Sequence, residues 1–120
     1  MKKQKIKRAA LDDLIWHDGR FIAMCAEVSS AGKCQLTLRV SLLESLQSKR
    51  RLIYSFKFNN PTRLTSNFDW QIMKKNHNFG NISEGRIYDG DDFRIFVLLV
   101  EGSLEISGKN IDIEVSEESS

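Results

Sequence analysis

The stretch Phe93-Arg94-Ile95-Phe96-Val97-Leu98-Leu99-Val100-Glu101-Gly102-Ser103-Leu104-Glu105-Ile106-Ser107-Gly108-Lys109-Asn110-Ile111-Asp112-Ile113-Glu114-Val115 decides the fold. Its apolar residues recur with a period of two, the signature of half-buried strands. Glu101-Gly102 and Gly108-Lys109 divide it into three runs. Read as two-residue hairpin loops in which glycine supplies positive φ, they set Leu99 opposite Leu104 and Val97 opposite Ile106. On the next pair Ile106 faces Ile111 and Leu104 faces Ile113. Every pairing on that face is apolar, so a C-terminal three-strand meander is expected. The reverse face carries Phe96, Leu98 and Val100 on the first strand but Glu105, Asp112 and Glu114 on the others. The first strand is therefore expected to be covered on both sides. The last is expected to form an edge that its acidic residues guard.

Upstream the same period recurs. Ile22, Met24, Ala26 and Val28 form one apolar face, and Gln35 to Leu42 alternates without a fault. The turn residues Ser29-Ser30-Ala31-Gly32-Lys33 join the two runs into a hairpin. Both apolar faces fall on even numbers, so paired positions sum to an even number, as in 28 with 34 or 24 with 38. Cys25 and Cys34 then point to opposite faces, and no disulfide between them is expected. Leu42, Leu43 and Leu46 permit a short helical turn, as do Ile6, Ala10 and Leu14 near the start. Leu52, Tyr54, Phe56 and Phe58 mark a further strand, ended by Asn59-Asn60-Pro61-Thr62. Leu64, Phe68, Trp70 and Ile72 suggest an extended segment before the polar run 74–78. Ile82 to Tyr88 reads as a strand closed by Asp89-Gly90-Asp91. The expected fold is mainly β: an antiparallel sandwich or partly closed barrel of about seven or eight strands, with at most one or two short helices.

The 120 residues suit one domain. Residues 1–8 read as a basic, flexible arm, 9–116 as the β domain and 117–120 as an acidic, flexible tail. The net charge of +2 conceals an asymmetry. Lys2, Lys3, Lys5, Lys7 and Arg8 stand in the arm, which leaves 13 basic against 16 acidic residues in the rest. A basic arm on an acidic body does not make the basic face that nucleic acid requires. Asp12-Asp13 interrupts any signal-peptide core, and six residues, Ile95 to Val100, are too few to span a bilayer. With two cysteines and no disulfide framework, a reduced cytoplasmic protein is expected.

Candidate chemistry is sparse. His17-Asp18 could pair as base and carboxylate, but neighbours on a strand point to opposite faces. In His17-Asp18-Gly19-Arg20, Asp18 and Gly19 read as turn residues leading into the first long strand. His17, His77, Cys25 and Cys34 show no metal-ligand spacing, and both cysteines lie in runs that read as core. Asp89-Gly90-Asp91-Asp92 lacks the spacing of a calcium loop. Tyr54, Phe56 and Phe58 beside Lys57 and Arg63 have core parity, whereas a base-stacking platform needs exposed aromatics. No catalytic residue, cofactor or metal is expected, and the enzyme class is set aside.

Trp16-His17-Asp18, Phe56-Lys57-Phe58 and Gly102-Ser103-Leu104-Glu105-Ile106 together resemble small bacterial all-β domains that open on a Leu/Trp-His-Asp signature. That group includes immunity proteins of polymorphic toxin systems. The resemblance spans residues 14–115; members often carry Ala after the Asp, where this chain has Gly19. It implies a small protein-binding domain that neutralises a toxin by direct contact, and it supplies no catalytic residue. Asp89, Asp91, Asp92, Glu105, Asp112 and Glu114 would then form an acidic partner-binding patch suited to a basic toxin. The other reading is a small-ligand binder that uses a barrel interior. A homodimer through an edge strand is a further expectation; a membrane or nucleic-acid partner is not.

Overall fold

The computed structural model describes residues 4, 5, 11, 14–69 and 80–117. The strands are β1 (Gln4–Lys5), β2 (Ile15–Val28), β3 (Cys34–Leu43), β4 (Arg51–Asn59), β5 (Arg63–Phe68), β6 (Ile82–Asp89), β7 (Phe93–Leu99), β8 (Gly102–Gly108) and β9 (Asn110–Glu117). Apart from the two-residue β1, they are the eight strands of an antiparallel sandwich. One sheet runs β1-β9-β4-β3-β2 and the other β5-β8-β7-β6. They are two separate sheets, not a closed barrel. No α-helix occurs among the described residues. Of the two expected helical turns, residues 44–47 are bends with Leu46 exposed, and Ile6 and Ala10 lie outside the described residues, as do Trp70, Ile72 and the run 74–78.

The β2–β3 register follows from parity as expected: Val28 faces Cys34, Met24 faces Leu38 and Cys25 faces Thr37. Both cysteines are free. They are not core residues, however. Cys25, on the edge strand β2, is exposed, and Cys34, the first residue of β3 beside the loop, is half-buried. That strand also begins earlier than its turn residues suggest. His17-Asp18-Gly19 lies within β2 as an irregularity between Ile15 and Arg20, with Asp18 at φ 65°. Extra residues in one strand bend it and increase its twist. Past this bend the Phe21 N–H donates to Gly80 O at 2.8 Å, and Arg20 bridges Asn81 beside β6. Arg51 holds the bend in place, donating through Nη2 to Asp18 O at 2.8 Å.

A three-strand meander is present, but it is β6–β7–β8, one strand earlier than expected. Within it Val97 faces Leu104, Ile95 faces Ile106 and Leu99 faces Gly102. The loop is therefore Val100-Glu101 and the register moves by two, which preserves the apolar parity. After Gly108 the chain crosses to the other sheet, and β9 pairs with β4: Ile111 with Phe58, Ile113 with Phe56, Val115 with Tyr54. β9 is thus interior rather than an edge. Gln4–Lys5 of the basic arm pairs its far side.

The inner faces meet in one core. Phe56, Phe58, Phe93, Leu38, Ile95 and Ile106 are fully buried within it. Phe58 and Phe93 meet across the sheets with centroids 6.1 Å apart, and Trp16 stacks on Phe56 at 6.2 Å. Burying such side chains contributes roughly 1.5–3 kcal/mol each. These side chains meet between two sheets that do not close into a barrel.

Candidate functional site

The six acidic residues expected to form one patch are divided between the two sheets. Asp112 and Glu114 stand on the five-stranded sheet, where each has a cross-strand partner. Lys57 Nζ lies 3.1 Å from Glu114 Oε1, and Asn59 Nδ2 donates to Asp112 Oδ2 at 3.2 Å. Gln35 extends this network by donating to Asn59 Oδ1 at 3.0 Å. The polar lattice satisfies its own members. Asp89 ends β6, Asp91 and Asp92 lie in the β6–β7 turn, and Glu105 projects from β8 on the outside of the four-stranded sheet. Asp91, Asp92 and Glu105 line adjoining concavities on that side, whereas Asp89 pairs with buried Phe93 and has the parity of the inner face.

That side carries more than acids. Register places Tyr88 beside Arg94, which in turn faces Ser107 and then Arg63; the next row is Arg86, Phe96, Glu105 and Thr65. Glu84, Leu98, Ser103 and Asn67 complete a third row. Phe96 and Leu98 are therefore not covered on both sides of β7; they form an outward stripe that no described element overlies. Tyr88 is 70% exposed. Arg94 borders three adjoining concavities. One of about 700 Å³ includes Tyr88, Asp91, Asp92 and Lys109; one of about 380 Å³ includes Arg63 and Glu105; one of about 230 Å³ includes Phe96. Arg86 is paired with Glu84, Nη2 to Oε1 at 2.6 Å. Among the described residues Arg94, Arg63, Asp91, Asp92 and Glu105 make no ion pair.

The surface is therefore bipolar, with exposed Tyr88 on its edge strand and part-buried Phe96 inside it, rather than an acidic patch. Sequence parity did place Phe96 and Leu98 on the reverse face of their strand. The sequence offered no sign that this face stays open, since alternation does not tell which face of a sheet a second layer covers.

The remaining candidates lie elsewhere. Contrary to the rule for strand neighbours, His17 Nε2 approaches Asp18 Oδ1 to 3.7 Å, because the positive φ of Asp18 turns its side chain out of alternation. Both side chains are exposed. His77 lies outside the described residues. Among the described residues no three His, Cys, Asp or Glu side chains are grouped to hold a metal ion. Among the described residues no helix is long and apolar enough to cross a membrane. Comparison with protein-family models, curated proteins and solved structures finds no match for the chain.

Proposed function

We propose that the chain binds another protein through the outer face of the four-stranded sheet. Following its resemblance to toxin-neutralising immunity domains, we take the partner to be a toxin that this contact inactivates without catalysis. The observation that carries the reading is the conjunction on one face of exposed Tyr88, outward Phe96 and Leu98, and unpaired charges of both signs around Arg94. Tyr and Arg dominate the energetics of protein interfaces, because each joins a large contact area to a directional polar group. Charges without an internal partner are available to a complementary surface, where they set orientation and association rate. The free thiols of Cys25 and Cys34 are in keeping with a reducing, cytoplasmic location.

The test is coexpression with the product of each gene adjacent to its own, reading growth rescue, followed by calorimetric titration of the pair. Tyr88→Ala and Arg94→Glu are each expected to weaken binding about tenfold or more. Asp112→Lys, on the opposite face, is expected to leave the affinity unchanged. Absence of a toxin partner, or a complex indifferent to Tyr88 and Arg94 but sensitive to Asp112, would overturn the proposal.

A further inference from the structure

Three residues of the outer face stand in one cross-strand row. Register sets Arg63 of β5 and Arg94 of β7 on either side of Ser107 of β8, and all three share the outward parity of Glu105. Directly opposed residues on neighbouring strands have Cβ atoms about 5 Å apart. A short side chain therefore stands between two long ones, and a slot is left above it. Ser107 is the floor of that slot. It is 9% exposed and borders, with both arginines, a concavity of about 380 Å³. Its backbone O accepts from Thr62 N–H at 2.8 Å, but its hydroxyl has no hydrogen-bond partner among the described residues. Buried hydroxyls are as a rule hydrogen-bonded, so an unpaired one at the bottom of a hollow marks a place for a ligand atom.

Two carboxylates line the same concavity, Asp92 from the turn before β7 and Glu105 from the next row of β8. Two guanidiniums and two carboxylates thus border one hollow, and no two of them form an ion pair. That arrangement selects the ligand. A simple anion meets the two carboxylates and a simple cation meets the two guanidiniums, so each is opposed by half of the site. A molecule carrying one charge of each sign is complementary to all of it. Glu105 lies two residues along β8 from Ser107, roughly 7 Å, which sets the separation of the two charges.

We infer that the Arg63–Ser107–Arg94 slot binds a small ω-amino carboxylate. The carboxylate lies between the two guanidiniums, in charge-assisted hydrogen bonds, and accepts from the Ser107 hydroxyl. The ammonium group lies against Glu105. Asp92, on the other flank, repels a second anionic group. The charged side chains are open to water, which screens their attraction, so the Kd is in roughly the millimolar range. This site goes beyond the toxin reading and does not rest on it, although Arg94 serves both.

The test titrates the full chain alone with 5-aminopentanoate, followed by amide chemical shifts. Saturable shifts are expected at Arg63, Arg94 and Ser107. Pentanoate and glutarate, which lack the ammonium, and pentylamine, which lacks the carboxylate, should each bind at least about tenfold more weakly. Arg63 and Glu105 are exposed, so Arg63→Gln and Glu105→Gln should leave the urea midpoint in place. Each should weaken binding about tenfold, and Ser107→Ala about threefold. Absence of saturable shifts up to about 50 mM, pentanoate bound as tightly as 5-aminopentanoate, or an affinity indifferent to Arg63→Gln and Glu105→Gln would each overturn the inference. Ligand binding by a chain that has no toxin partner would overturn only the function proposed above; a toxin complex of a chain that ignores 5-aminopentanoate would overturn only this site.

Discussion

At Gly85 the missing side chain is what the fold uses. A Cβ there would stand 2.1 Å from Trp16 Cδ2, so the indole lies flat on the bare backbone of β6 and reaches Phe56 behind it. Gly85→Ala is expected to displace Trp16 and lower stability by about 1–3 kcal/mol, as overpacking does. Urea unfolding measures the loss; an unchanged midpoint would mean that the indole can move aside freely. Tyr54 makes a second residue-scale case. Burial, and then the charge of Glu44, hold its phenol above the usual pKa of 10.0. Above pH 10 the unfolded chain gives up this proton first and the folded chain keeps it, so stability falls as pH rises from there toward the folded value. Below pH 10 both states are protonated and the effect vanishes. Tyr54→Phe is expected to flatten that alkaline decline in thermal unfolding followed from pH 9 to 11, and an equal decline in the variant would assign it to other groups.

Between the residue and the sheet stands Glu101, in the β7–β8 turn. The sequence reads it as one more solvated acid beside a loop glycine, yet it is 3% exposed. Its backbone O accepts from Asp69 N–H at 2.8 Å and its Oε1 accepts from Gly80 N–H at 3.1 Å. One side chain and its own backbone thus fasten the end of β5 to the start of the segment leading into β6. Glu101→Ala strands a buried N–H donor and is expected to cost about 2–3 kcal/mol; Glu101→Gln, which keeps an acceptor oxygen, should recover most of that. Equal losses in the two variants by urea titration would show that the charge matters and the acceptor does not. The neighbouring glycine explains why the hairpin register was misread. At Gly102 a Cβ would lie 1.9 Å from Asn67 O. The glycine serves the close approach of β5, not the turn, and a sequence does not distinguish those uses. The β2–β3 register was legible because alternation on both strands fixed it without reference to any loop.

For the molecule as a whole, parity located the core faces of β3, β4, β7 and β8 but not that of β2. There Ile22 and Val28 are exposed, and Phe21 packs on the core beyond the register shift. Nor did parity choose partners. Ile111, Ile113 and Val115 match β4 as well as they match β8, and the crossing at Gly108, packed against Phe58 and Pro61, decides for β4. Alternation likewise puts Phe96 and Leu98 on the reverse face of β7 without telling whether another layer covers it, which is why the open outer face could not be read from the chain while the sandwich could. The same connectivity implies how the molecule unfolds. Each sheet is apolar on its inner side, and neither covers that side alone; Phe58 of β4 needs Phe93 of β7, and Trp16 of β2 lies on the bare backbone of Gly85 in β6. β9 follows β8 in sequence yet completes the other sheet, so separating the sheets also strains their covalent joint. Both sheets should therefore open in a single transition. Native-state hydrogen exchange is expected to give the same global opening free energy for the amides of Phe56 in β4 and Val97 in β7, interior strands of different sheets. If Val97 exchanged through an opening several kcal/mol cheaper than that of Phe56, the four-stranded sheet would be an independent unit. Stability would then no longer couple its exposed face to the rest of the core.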